Sequence, residues 1–151
     1  MGGVPTRGVI QNEARKRQIN DFRDLRFGNI TPTDIDAVIE YHGKAYAYLE
    51  IKYGDAELPY GQRLYLERQV QDNARAGKQA IAAVVEHNIH NTEVSVPVAE
   101  CPVRSIYLSK EMKWRNPLRN ISVLEMLTEF FRYVDSAGSA EQAAKSREAD
   151  S

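Results

Sequence analysis

Residues 36–52 read Asp-Ala-Val-Ile-Glu-Tyr-His-Gly-Lys-Ala-Tyr-Ala-Tyr-Leu-Glu-Ile-Lys. Two strands are expected here, over 35–41 and 45–53, joined near His42-Gly43. In the second, Ala45, Ala47, Leu49 and Ile51 share one face, and Tyr46, Tyr48, Glu50 and Lys52 share the other. Asp36 opens the first strand. If the pair is a hairpin with Gly43 at its midpoint, Asp36 stands opposite Glu50. That register needs a connection of odd length, such as His42-Gly43-Lys44. A two-residue turn at His42-Gly43 throws Asp36 onto the other face.

The flanking sequence extends the pattern. Gly2, Gly3, Pro5 and Gly8 mark a loose start. Asn12 can cap a helix running from about residue 12 to 23, with Glu13 in its first turn and only Ile19 and Phe22 on an apolar face. A short strand is expected over 25–30, ended by Thr31-Pro32-Thr33. Residues 59–76 read as a helix with Pro59 at its start, Gly77 past its end, and a stripe of Leu66, Val70 and Ala74. The run Ala80-Ile-Ala-Ala-Val-Val85 reads as a central strand covered on both faces. Residues 88–102 form a loop, 103–109 a further strand, and 110–120 a basic loop. A helix follows over 122–135, with Val123, Leu127, Phe130 and Val134 on one side. The small, polar tail 136–151 has the composition of a disordered segment. The expectation is one α/β (α+β) domain over 1–135, a mixed central sheet flanked by helices.

The chain has 151 residues, enough for one core of ordinary size. No apolar run reaches the roughly 18 residues of a membrane span, and no secretory signal is expected, so no membrane partner is expected either. Cys101 is the single cysteine, which excludes an internal disulfide and fits a reducing cytoplasm. Charge is near neutral overall but unevenly spread. Residues 1–30 carry six basic groups against three acids, residues 31–60 six acids against two lysines, and residues 101–120 five basic groups against one acid. An acidic centre between basic flanks suits carboxylates that hold an ion and cations that meet a polyanion, although solvated surface charge is the simpler reading of the charges alone.

Two carboxylates and an ammonium on one wall have a chemical use. Mg²⁺ takes oxygen ligands and keeps several waters, so one or two carboxylates suffice. The ion polarises a phosphoryl oxygen and acidifies bound water. A lysine beside it offsets repulsion between the acids and stabilises developing negative charge.

Asp36, an apolar spacer and Glu50-Ile51-Lys52, followed by a helix, resemble the signature of the PD-(D/E)XK nuclease superfamily, in the form of its small resolvase-like and phage-encoded members. The resemblance covers roughly residues 10–87 and implies a restriction-endonuclease-like core. It implies that Asp36, Glu50 and the Ile51 carbonyl hold Mg²⁺, with Mn²⁺ as a substitute, and that Lys52 assists the attacking water. Glu13 on the first helix is the candidate to complete the site. The implied activity is endonucleolytic hydrolysis of DNA leaving a 5′-phosphate, on branched substrates such as four-way junctions, in recombination or replication, in a bacterial or phage-infected cell. A non-catalytic DNA-binding or assembly module on the same fold is the alternative. Ile35 stands where the family commonly has proline, and Pro32 lies upstream. Asp34 is a rival ligand. Gln62 and Tyr65 are similar to the glutamine–tyrosine helix motif of exonuclease-like members, at a shorter spacing.

Arg15, Lys16, Gln62, Lys113 and Arg115 are the candidate nucleic-acid contacts. Trp114 offers a stacking surface, although a lone tryptophan more often packs. His87 and His90 form a pair with no third ligand beside them. The helix over 122–135 could join two subunits of a homodimer, and a core helix is the simpler account.

Overall fold

The computed structural model describes residues 8–150. The chain divides at Pro32 into two compact units, one ending at Pro32 and one beginning at Thr33, so the residues expected to form one domain fall in both.

The first unit holds α1, Glu13–Arg17. Asn12 caps it: its side chain accepts a hydrogen bond from the Arg15 N–H at 3.0 Å. The helix expected over 12–23 ends at Arg17 because its apolar residues have nothing to bury against. Ile19 is 65% exposed, Phe22 is 44% exposed, and α1 buries no residue. The strand expected over 25–30 is also absent. Phe27 and Ile30 bridge each other across Gly28-Asn29, Gly28 having φ +65°, so the segment turns back on itself.

The second unit is mixed α/β. Strands β1 (Ala37–Tyr41), β2 (Ala45–Tyr53), β3 (Gln79–His87), β4 (Val103–Leu108) and β5 (Trp114–Arg115) form one sheet in chain order. Only β2 and β3 are parallel, and the crossover between them carries helix α2, Tyr60–Arg75. The other neighbours are antiparallel. β5 lies in the segment read as a basic loop. Its two residues pair with Ile106 and Tyr107, a pairing too short to leave a periodic signal.

The hairpin has the odd connection. Ala37 pairs with Leu49 and Tyr41 with Ala45, leaving His42-Gly43-Lys44 as the turn. His42 and Gly43 both have positive φ, 53° and 68°, and the Lys44 N–H donates to the Tyr41 carbonyl at 3.0 Å. The Glu40 carboxylate accepts from the Gly43 N–H and fastens the turn. Continued by one residue, the same register sets Asp36 against Glu50.

Two cores sandwich the sheet. On one face Ala45, Ala47 and Leu49 meet Ile81, Ala83, Val85, Ile106 and helix α3, Val123–Ala149, through Val123, Met126, Phe130 and Val134. On the other, Tyr48, Ala80, Ala82 and Tyr107 pack under Leu66 and Val70 of α2, both fully buried. Each of those two side chains contributes about 2–3 kcal/mol by leaving water. The Tyr48 hydroxyl donates to Gln69 at 3.3 Å and accepts from Asn73 at 3.0 Å, so this buried phenol is satisfied by α2 as well. α2 ends at Arg75, and Gly77 follows with φ +79°.

α3 begins after Ser122, whose hydroxyl accepts from the Glu125 N–H at 3.1 Å. It does not stop near Asp135 but continues through 136–149, the stretch whose composition suggested disorder. Ala, Glu, Gln, Lys and Arg there are strong helix formers, and residues 139–150 are exposed throughout. Removing residues 141–151 is therefore expected to leave the thermal midpoint within about 2 °C, measured by circular dichroism, since no buried contact is lost. No helix among the described residues is long and apolar enough to cross a membrane.

Candidate active site

Glu50 and Lys52 point to the α2 face of the sheet, the parity of Tyr46 and Tyr48. Strand β2 outruns β1 at this end, so Ile51, which pairs with Val85 of β3 on its other edge, has no β1 residue opposite it. Asp36 fills the gap: its Oδ2 accepts the Ile51 N–H at 2.7 Å. In an extended strand the N–H and C=O of one residue leave by the same edge. The Ile51 carbonyl is thus on the edge where Asp36 sits.

Glu50 is 4% exposed, the single charged residue in the buried core among the described residues. Its Oε1 meets Lys52 Nζ at 3.2 Å. Its Oε2 is buried without any hydrogen-bond partner. A desolvated carboxylate oxygen left unpaired costs on the order of 1–3 kcal/mol or more. Burial pushes the Glu50 carboxyl above its ordinary range, and the neighbouring Asp36 charge pushes it further. The Lys52 hydrogen bond and charge oppose this, and Asp34 adds a smaller upward push.

Lys52 Nζ also donates to Gln62 Oε1 at 2.9 Å. Gln62 Nε2 in turn lies 3.3 Å from the Asp34 carbonyl and 3.4 Å from Asp34 Oδ1. Gln62 sits in the first turn of α2, so the start of that helix closes over the end of β2. Arg104 fixes the connecting loop: its guanidinium donates to the carbonyls of Ala56 (2.6 Å) and Gly54 (2.8 Å) and pairs with Glu86 at 3.3 Å. Asp34 and Asp36 are exposed, so the cluster opens to solvent on their side while Glu50 lies at its floor.

The raised Glu50 pKa has a sign for stability. The folded protein keeps this proton at pH values where the unfolded chain, near 4.5, has lost it. The group's contribution is complete below that unfolded value and is lost as pH rises through the raised folded one. Urea midpoints in EDTA are expected to fall from pH 4.5 toward pH 8 more steeply in the wild type than in Glu50→Gln. Parallel curves would remove Glu50 from the account.

Mg²⁺ fits this donor set. An unpaired, desolvated carboxylate oxygen, a second carboxylate and a main-chain carbonyl are hard oxygen ligands, and the ion keeps water at its other positions. Among the described residues no group of three or more His, Cys, Asp and Glu side chains is arranged to hold a metal ion, so the candidate set rests on two carboxylates and the Ile51 carbonyl.

The other sequence candidates lie on other elements. Glu13, Arg15 and Lys16 lie on α1, in the first unit, with the Arg15 guanidinium donating to Gln18 at 3.0 Å. Arg115 faces the α3 side of the sheet, opposite to Glu50, and Glu111 holds its Nε at 3.0 Å from both oxygens. Lys113 is exposed. Trp114 packs: its ring lies 5.3 Å from that of Tyr107, and its N–H donates to Glu67 at 2.7 Å. Much of the basic stretch 104–119 is likewise spent internally, Arg119 on Glu129 and Lys110 over the Tyr133 ring at 4.3 Å. His90 bonds the Tyr53 hydroxyl through Nδ1, and His87 Nδ1 accepts the Ile89 N–H at 3.2 Å. Cys101 is buried, and burial raises its thiol pKa.

The sequence names Asp34 as a rival ligand and Gln62 as a candidate nucleic-acid contact that can approach the site because its helix begins just after the Glu50-Ile51-Lys52 strand. The structure brings Gln62 to Lys52 and Asp34 to Gln62. Comparison of the chain with protein-family models, with curated proteins and with solved structures returns no match.

Proposed function

We propose that this protein is a Mg²⁺-dependent deoxyribonuclease of the PD-(D/E)XK type. One observation carries the reading: Glu50 keeps a buried, unpaired carboxylate oxygen beside Asp36 and Lys52, at the open end of β2. A protein does not gain stability from such an oxygen, and functional sites are where that cost is tolerated.

In this reading Asp36, Glu50 and the Ile51 carbonyl hold the ion, which supplies Lewis-acid polarisation of the phosphate and acidification of bound water. The ammonium of Lys52 is held 3.2 Å from one Glu50 oxygen, and the other, unpartnered oxygen would be free to ligate the ion. The ammonium orients the attacking water and stabilises the negative charge that develops on the phosphoryl oxygens. Asp36 uses one oxygen to fix the Ile51 main chain, which sets the carbonyl for its part. The sequence resemblance names DNA as the substrate and favours branched forms. The internally paired cations of the 104–119 stretch give a non-catalytic DNA-binding module no added support.

The test uses supercoiled plasmid, linear duplex and a four-way junction, each with Mg²⁺ or with EDTA. Products carrying 5′-phosphates are expected in Mg²⁺ and none in EDTA, with Mn²⁺ able to replace Mg²⁺. Binding that weakens steeply with salt but never leads to cleavage would favour the non-catalytic module. Cleavage that persists in EDTA would remove the metal from the mechanism.

A further inference from the structure

Resting on the nuclease reading, we infer that Gln62 is a positioning residue for Lys52, held in place by Asp34, and is not a contact to the nucleic acid. Both heteroatoms of its amide are engaged inside the cluster: Oε1 accepts from Lys52 Nζ at 2.9 Å, and Nε2 lies 3.3–3.4 Å from the two Asp34 oxygens. This fixes which way the amide faces, since only the oxygen can accept from an ammonium and only the nitrogen can donate to Asp34.

The choice of glutamine has an electrostatic reason. Lys52 already has one anionic partner in Glu50, and Asp34 and Asp36 both raise the charge cost of that carboxylate. A second anchor is needed to hold a flexible four-carbon stem in one place. A neutral acceptor supplies it without adding a further negative charge and without competing for the ion. Because Gln62 stands in the first turn of α2, the position of Lys52 is tied to a helix whose Leu66 and Val70 are fully buried, and so to the rigid core.

The experiment compares wild type, Gln62→Met, Gln62→Glu and the double variant Asp34→Asn/Gln62→Glu in single-turnover cleavage of a junction substrate. Gln62→Met keeps the shape and removes the anchor. It is expected to lower the cleavage rate about 10- to 100-fold, with the substrate concentration at half-saturation unchanged. Gln62→Glu alone sets two carboxylates against each other and is expected to be impaired. The double variant restores the bridge with its polarity reversed: the introduced asparagine amide donates to the introduced carboxylate, which still accepts from Lys52. Its rate is expected to recover about threefold or more over Gln62→Glu but to stay below wild type, because the carboxylate at 62 faces the Asp34 carbonyl and adds negative charge beside Glu50. A shift in half-saturation with an unchanged rate, or no recovery in the double variant, would overturn the inference and return Gln62 to the substrate surface.

A second readout does not need cleavage. Acylation of Lys52 by acetic anhydride, followed by mass spectrometry, is expected to be faster in Gln62→Met and to return to the wild-type rate in the double variant. Equal labelling in all four proteins would overturn the tether itself. A wild type that labels as expected yet cuts no DNA would instead overturn the nuclease reading.

Discussion

Glu50→Gln is expected to abolish Mg²⁺-dependent cleavage and to make the metal-free protein more stable. The loss of rate should be about 10³-fold or more, because an amide is a poor substitute for an anionic ligand and about 4 kcal/mol of transition-state stabilisation goes with the ion. The gain in stability has a separate origin. Glu50 is 4% exposed, its Oε2 has no partner, and its ionised form is disfavoured by burial and by Asp36. An amide removes the buried charge and can still accept from Lys52, which is not stranded in the way Glu50 would be, since its side chain is the more exposed of the two (16% against 5%) and keeps Gln62 as a partner. At pH 8 in EDTA the variant should gain about 1 kcal/mol, a rise of roughly 2–4 °C in melting temperature. The two changes together separate a functional residue from a structural one: a structural glutamate at this position would lose stability on the same replacement.

Lys52→Met should fail in the opposite way. Lys52 is 16% exposed at its side chain, so its ion pair with Glu50 is nearly buried. Removing one partner of a buried pair leaves the other uncompensated, at a cost of about 3 kcal/mol or more. At pH 8 the variant is therefore expected to melt at least about 6 °C below wild type. The deficit should shrink as pH falls, because burial already raises the Glu50 carboxyl and the isolated group takes up a proton. In the double variant Glu50→Gln/Lys52→Met most of the loss should vanish, because no buried charge remains. Cleavage should fall about 10²- to 10³-fold in Lys52→Met even where the protein is fully folded, which requires assays below its melting range. A Lys52→Met protein that keeps wild-type stability and activity would show that the ammonium neither balances Glu50 nor takes part in the reaction.

The hairpin was legible because two independent constraints agree on it. The alternation over 45–53 sets the faces, and His42-Gly43, with its tolerance for positive φ, sets a turn whose length decides whether Asp36 reaches Glu50. Helix α2 was legible from Pro59 and Gly77, and β3 from its unbroken apolar run. The failures share a cause. Residues 12–30 have local helix and strand propensity, but α1 buries no residue, and propensity without burial does not sustain an element. α3 errs the other way: its polar extension needs no burial to be helical, since its residues favour helix on their own. The site was half legible. Asp36, Glu50 and Lys52 follow from strand parity, and Gln62 from a helix that starts just after β2, whereas the bridge from Gln62 to Asp34 has no local pattern to announce it. Arg115 was assigned by charge alone, and strand parity sends it to the α3 side.

The most direct test is a crystal of the full chain soaked in Mn²⁺ and measured at the manganese edge. An anomalous peak is expected between the Asp36 and Glu50 carboxylates, within about 2.0–2.3 Å of an oxygen of each and of the Ile51 carbonyl, and it should be absent from Glu50→Gln crystals. A peak elsewhere, or no peak while Glu50 Oε2 is capped by a protein donor, would contradict a metal centre at this end of β2.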